Sequence, residues 1–346
     1  MSQSNKQILL ETRPLGLPKS TNFKFVQTDA PQPGAGELLL KTLYLSLDPS
    51  VRGRMNEGKS YIEPIAIGEV LAGATVSQVI QSDHPDFSVD DFVLSENGWQ
   101  EYAVSDGTGL RKLDPRKQPV SQALGVTGVP GLAAYVGMLD IGKPQSGDTV
   151  VVSSAAGAVG SIAGQIAKLQ GCRVIGIAGT PTKCDHVVNK LGFDDCINYK
   201  SDGFLSQLAN ACPDGVDVYF ENVGGRVLEA VCGHLNTGAR VPLCGGIAYY
   251  NLTELPPGPD RVPLLMRSLL VNRVLMQGFI VQDHLDREAA FLDDMTAWME
   301  NGDIVYHEDR VEGLQNAPEA FKGMLMGRNL GKHIVRVALE PGKTQI

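Results

Sequence analysis

Residues 148–183 read DTVVVSSAAGAVGSIAGQIAKLQGCRVIGIAGTPTK, and few folds accommodate such a stretch. Val150, Val151 and Val152 form a short apolar run that ends in small residues, as a strand buried on both faces of a parallel sheet does. Residues 155–160, AAGAVG, make a tight turn. Ile162, Ile166 and Leu169 then recur at helical spacing, Gly171 stops that helix, and residues 173–177 read as a second buried strand. Strand, glycine turn, helix, strand is the unit that brings bare backbone up to a dinucleotide.

The residue types follow from that task. A pyrophosphate sits on the free N–H groups of a helix N-terminus only where no side chain blocks the approach. Gly157 permits the approach, and Gly160 lets the helix pack close to the strand. Ala155 stands where the strict GxGxxG pattern has its first glycine, and ordinary strand-to-helix turns also carry pairs of glycines. It is the setting between this strand and this helix that points to cofactor binding, with the phosphates at Gly157, Ala158, Val159 and Gly160. The end of the second strand selects the cofactor. An NAD site usually carries an acid about 20 residues past the glycines. Here the stretch is Ala178-Gly179-Thr180-Pro181-Thr182-Lys183, with no acid, room at Gly179 and a cation at Lys183, which favours NADP(H).

At 346 residues the chain has length for two domains. A net charge of −9 leaves no basic surplus for nucleic acid, and no apolar run reaches the length of a membrane span. The first residues, MSQSNKQILLETRP, lack the apolar core of a signal peptide, so a cytoplasmic protein is expected. Six cysteines, all from Cys172 onward and without a CxxC pair, read as buried thiols.

The first 115 or so residues read as β-rich, with strands at 37–44, 68–80, 91–94 and 99–104. Glycines 68 and 73 suggest bends of a curled sheet. Strands at 149–152, 173–177, 216–220, 240–243 and 274–279 alternate with helices, which predicts a doubly wound parallel sheet. Near Tyr306 the pattern reverts to a strand, a short helix at 317–326 and a last strand at 332–337 that returns to the first domain.

With residues 155–160 (AAGAVG), 221–225 (ENVGG), 244–251 (CGGIAYYN), 255–259 (LPPGP), 329–332 (NLGK) and 43–55 (LYLSLDPSVRGRM), the chain from about residue 8 to 338 resembles a known family. It is similar to the zinc-free medium-chain dehydrogenase/reductases, in the branch of prostaglandin reductases, plant double-bond reductases and, most of all, bacterial NADPH-dependent curcumin reductases. The resemblance implies an α/β protein: a discontinuous GroES-like catalytic domain at 1–125 and 306–346, a Rossmann NADP(H)-binding domain at 126–305, and an active site in the cleft between them. It implies that Lys183 and Tyr199 hold the 2′-phosphate, and that Asn222, residues 244–250 (Cys244, Gly245 and Tyr250 among them), Phe279, Ile280, Val281 and Asn329 line the adenine, ribose and nicotinamide.

Zinc-dependent relatives carry a GHE motif, where this chain has Gly68-Glu69-Val70, and no cysteine precedes Cys172. Metal-free chemistry is expected. Hydride addition to the β-carbon of an α,β-unsaturated carbonyl suits such a site, given a donor for the enolate oxygen. Tyr250 follows what reads as the fourth strand of the sheet and matches the family tyrosine proposed as donor, with the ribose hydroxyl or water as other proton sources. Tyr61, Met138 and the neighbouring Tyr249 are candidate substrate walls, with core packing the reading ahead for Tyr61 and Met138, while Arg52 reads as structural. The expected substrates are enones, 2-alkenals and curcumin-like diarylheptanoids. Two readings stay open beside this: a quinone reductase, and a non-catalytic NADPH-binding sensor on the same fold. An apolar stretch at 274–281 on a sheet edge points to a homodimer, which relatives form through that edge.

Overall fold

The computed structural model describes residues 3–58 and 60–342. The chain begins with strands β1 (Ser4–Leu10) and β2 (Phe23–Asp29), an antiparallel hairpin that the sequence reading leaves out. Then come β3 (Leu38–Ser46), the short helix α1 (Ser50–Arg54), β4 (Thr75–Ser82), β5 (Phe92–Ser95), β6 (Tyr102–Ser105) and β7 (Arg111–Leu113). Two expected strands are shorter than read. The segment 68–80 becomes strand only at Thr75, because the chain first passes close at Gly73, where a Cβ would stand 2.9 Å from Leu45 and 3.2 Å from the Trp99 indole nitrogen. The segment 99–104 becomes strand only at Tyr102, and Trp99 instead buries its ring against Phe23 and Phe321.

The second half runs through α2 (Val129–Tyr135), a wide π turn at Val136–Gly142, β8 (Thr149–Ser153), α3 (Ala158–Leu169), β9 (Arg173–Ala178), α4 (Pro181–Asn189), β10 (Asp195–Asn198) and α5 (Phe204–Ala211). It continues through β11 (Val216–Phe220), α6 (Gly225–Cys232), β12 (Leu235–Leu243), α7 (Val262–Asn272), β13 (Leu275–Gly278) and α8 (Glu288–Glu300). The chain closes with β14 (Glu308–Glu312), α9 (Ala317–Leu325) and β15 (Lys332–Arg336).

These elements form two compact units. One comprises the described residues through Gly125, Glu308–Asn329 and those from His333 onward; the other comprises Val126–His307 and Leu330–Lys332. In the first, β14-β15-β3-β4-β5-β7 make one sheet, with β6 also on β3. The pairing of β15 with β3 joins the two ends of the chain. Arg52, buried in this unit, donates to the carbonyls of Gly16 and Pro14 and to the Asn56 carboxamide, which is a structural task.

In the second unit six parallel strands run in the order β10-β9-β8-β11-β12-β13. Numbered along the chain this is 3-2-1-4-5-6, the dinucleotide-binding order, whose switch point lies between β8 and β11. Both faces are covered. Val150 and Val152 pack into the cluster that holds Ile162 and Ile166 of α3, while Val151 faces the opposite cluster with Leu208 of α5 and Val227 of α6. The sequence reading misses β10, so the strand before Tyr250 is the fifth of the sheet and not the fourth. Only Ile197 of β10 is buried, and an edge strand with one inward apolar residue leaves no alternation to read. Among the described residues no helix is long and apolar enough to cross a membrane.

Candidate active site

The glycine turn leaves β8 through Ser154, a non-glycine residue at φ 53°, and enters α3 with Gly157 as its cap. The N–H of Gly157 donates to the Ser154 carbonyl at 2.8 Å, closing the turn. A Cβ on Gly160 would stand 2.3 Å from that same carbonyl oxygen, and one on Gly157 2.8 Å from the Ser154 hydroxyl. Gly160 therefore requires glycine, since the atom it would meet is backbone, while at Gly157 the nearest atom is a side-chain hydroxyl; the first-turn N–H groups of α3 at Ala158 and Val159 have no intrahelical partner. This cradle fits a pyrophosphate. The chain returns to it at Gly331, whose N–H donates to the Ala156 carbonyl at 2.8 Å. Asn329 lies two residues upstream, half-buried, as the last residue of its segment of the first unit.

Next along the C-terminal edge, β9 ends at Ala178 and Thr180 caps α4, its hydroxyl accepting the Lys183 N–H at 3.2 Å. The cap turns the chain so that Lys183 leaves from the first turn of α4, half-buried. Tyr199 follows β10, and its N–H donates to the Ala178 carbonyl at 3.1 Å. A Cβ on Gly179 would come within 3.1 Å of the Tyr199 ring and 3.6 Å of the Lys200 side chain, whose ammonium lies 5.6 Å from the centre of that ring. Gly179 and Tyr199 thus meet, with Lys200 beside them. The sequence reading does not include Lys200, because β10, the strand it follows, leaves no pattern to read.

At the switch point β11 runs into Glu221 and Asn222. The Asn222 amide donates to the Ser153 hydroxyl and its carboxamide to the Ser153 carbonyl, both at 2.8 Å, which ties the turn after β11 to the end of β8. Burial pushes the Glu221 carboxyl up in pKa, against the backbone N–H donors of Val223 and Gly224 that pull it down. After β12, the N–H groups of Cys244 and Gly245 donate to the Glu221 carbonyl. A Cβ on Gly245 would stand 3.4 Å from the Asn222 carbonyl oxygen and 3.6 Å from the Tyr250 hydroxyl, so Asn222, Gly245 and the Tyr250 phenol are brought together. Burial raises the Cys244 thiol to about 12, so it is a packing group, not a nucleophile. Phe279 and Val281 are buried in the same core, with Ile280 half-buried between them.

The three candidate substrate walls fare differently. Met138 is 0% exposed and packs inside the core, the alternative that the sequence weighs ahead of a substrate wall. It sits in the π turn. Tyr61 is exposed in the first unit. Tyr249 is 46% exposed, but its hydroxyl accepts the Gly225 N–H at 2.6 Å. Among the described residues no three His, Cys, Asp or Glu side chains gather in a group that could hold a metal ion.

A parallel sheet in this order, with a glycine cradle at its first strand, defines a nucleotide-dependent oxidoreductase fold. Residues 6–113 match the model described as the N-terminal domain of oxidoreductase, and residues 158–297 the one described as zinc-binding dehydrogenase. The chain is 50% identical over 337 residues to the NADPH-dependent curcumin reductase of Escherichia coli, covering 97% of this chain and 98% of that protein. It is 39% identical over 345 residues, 97% and 98% of the two chains, to the NADP(+)-dependent 2-alkenal reductase of Nicotiana tabacum. Among solved structures, CurA of Vibrio vulnificus in complex with NADPH matches with a TM-score of 0.93 at 53% identity, over 97% of this chain and all of that one. The chain belongs to the medium-chain dehydrogenase/reductases, in their zinc-free branch.

Proposed function

We propose that the protein is an NADPH-dependent reductase of the carbon–carbon double bond of α,β-unsaturated carbonyls: enones, 2-alkenals and curcumin-like diarylheptanoids. The observation that carries this is the meeting of the Tyr250 phenol with Asn222 and Gly245 beyond the C-terminal ends of β11 and β12. The names of the relatives supply the direction: an NADPH-dependent curcumin reductase and an NADP-dependent 2-alkenal reductase, each similar along its whole length. In this reading the second unit binds NADP(H) and the first is the catalytic domain.

The residues divide the work by their chemistry. Gly157, Ala158, Val159 and Gly160 hold the pyrophosphate on the N-terminus of α3. Lys183 and Tyr199 hold the 2′-phosphate, with Gly179 leaving it room. Asn222, Cys244, Gly245, Phe279, Ile280, Val281 and Asn329 line the remainder of the cofactor. Bound NADPH supplies the hydride, two electrons and a proton nucleus, to the substrate β-carbon. Tyr250 then donates a hydrogen bond to the carbonyl oxygen as the enolate forms, and the α-carbon takes its proton from Tyr250 or water. Tyr61 is a substrate contact.

Lys183→Ala is expected to weaken NADPH about 10–100-fold, the scale of one charge-assisted hydrogen bond, and to leave NADH nearly unchanged. Titration of both cofactors by fluorescence checks it, and equal losses would contradict the 2′-phosphate role. The whole reading is tested by following NADPH oxidation with curcumin, a 2-alkenal and a quinone in parallel. Turnover of the quinone alone would replace it with a quinone reductase, and cofactor binding without turnover would make it a sensor.

A cytoplasmic homodimer belongs to the same proposal. Six free thiols suit a reducing compartment. Strand β13 is the edge of its sheet, and Leu275 on it is exposed together with Val262, Leu264, Met266, Leu270 and Val271 on α7. An apolar edge of this kind is an aggregation hazard unless covered, and a second copy covers it. Light scattering is expected to give twice the monomer mass, and Leu270→Asp, at a position 79% exposed, is expected to halve it. A wild-type monomer would contradict the dimer.

A further inference from the structure

The turn between β11 and α6 presents four successive backbone N–H groups, which share three side-chain acceptors. Asn222 N–H donates to the Ser153 hydroxyl. Val223 and Gly224 donate to the Glu221 carboxylate, the latter at 2.7 Å. Gly225 N–H donates to the Tyr249 phenol oxygen at 2.6 Å. The acceptors of the first three are the Ser153 hydroxyl at the end of β8 and the carboxylate of Glu221, the residue that follows β11. The acceptor of the fourth, Tyr249, comes from the loop after β12.

That fourth bond closes a clamp between two loops. Ile247 and Ala248 donate their N–H groups to the carbonyls of Asn222 and Val223, at 3.3 and 2.9 Å, so the loops already run side by side. Gly224, at φ 80°, leaves a gap in which the Tyr249 ring lies: a Cβ there would stand 2.3 Å from the ring. Gly246 lies against the same ring, its Cβ position 3.0 Å away. The ring is therefore seated between two glycines with its hydroxyl spent on Gly225. Tyr250 is the next residue, and its N–H donates to Ile247 at 3.3 Å.

We infer that Tyr249 is a positioning residue: its phenol latches the loop after β12 to the start of α6 and so fixes where the Tyr250 hydroxyl stands. This rests on the reading of Tyr250 as the enolate donor. It departs from the sequence reading of Tyr249 as a substrate wall, for which its 46% exposure is the argument. A wall contact and a latch separate cleanly by experiment. Loss of a latch lowers kcat with little change in KM, and it costs nothing further once Tyr250 has lost its hydroxyl. Loss of a wall contact changes KM in a way that depends on substrate size, and its effect multiplies with that of Tyr250.

The experiment takes the full-length protein as Tyr249→Phe, Tyr250→Phe and the double variant. Steady-state kinetics on a small and a large enone are combined with hydrogen exchange of the segment 222–228. For Tyr249→Phe the expected results are kcat lower by about 5–20-fold, KM for both enones within about 2-fold, and less than about 2-fold further loss in the Tyr250→Phe background. Exchange of the Gly225 amide should speed up by about 10-fold. Unchanged exchange would overturn the latch, as would multiplying losses or a KM change that differs between the enones. Should the wild type reduce no enone, the functional reading falls, and the exchange measurement still decides the latch by itself.

Discussion

Replacing Tyr250 by Phe is expected to lower kcat by about 10–10³-fold, the range for removing one donor from a developing oxyanion. The hydroxyl stands beside Asn222 and Gly245, at the C-terminal edge of the sheet where ligands of open α/β folds collect. Phe keeps the ring and removes only the donor, so the loop keeps its packing. KM should change little, because the bond strengthens only as charge reaches the carbonyl oxygen. The comparison is informative where a deuterium isotope effect from NADPH labelled at C4 shows hydride transfer limiting turnover. An unchanged kcat under those conditions would reduce Tyr250 to a packing residue.

Gly160→Ala is expected to destabilise the protein by about 1–3 kcal/mol through overpacking. The added Cβ would meet the Ser154 carbonyl oxygen at 2.3 Å, its carbon at 2.9 Å and Ala155 Cα at 3.1 Å. All three are backbone atoms, so no rotamer change relieves the contact. The strand-to-helix turn must open, and NADPH affinity should fall with stability. Gly53→Ala in α1 is the control: a Cβ there has nothing within 4 Å, and alanine is the better helix former. Thermal melts of both variants with and without NADPH check the pair, and equal melting temperatures would contradict the close approach at Gly160.

The second unit was legible in the sequence where both faces of a strand are buried. Val150–Val152 of β8 and Val218–Phe220 of β11 form unbroken apolar runs because each residue meets one of two cores. Gly160 of the turn was legible for a related reason: backbone approaching backbone admits no other residue. Strand β10 was not, since its single buried residue leaves no period. The hairpin of β1 and β2 escaped because β2 exposes most of its side chains, Phe25 included.

Within the candidate site, residue types were readable and their partners were not. Lys183 and Gly179 follow from the missing acid after β9. Tyr199, Asn222 and Asn329 came from family resemblance, since their places depend on how separate loops meet after the sheet has formed. Two adjacent tyrosines gave the sequence no means of choosing between them. The bond from Gly225 to Tyr249 is a contact across 24 positions, and only the folded chain contains it.

The central claim is that hydride goes to the β-carbon of an enone. The direct measurement incubates the protein with an enone and NADPH carrying deuterium at both C4 positions, then locates the label in the product by mass spectrometry and NMR. The expected product is a saturated ketone with one deuterium on the β-carbon and an α-hydrogen drawn from solvent. An allylic alcohol with deuterium on the carbonyl carbon would contradict it.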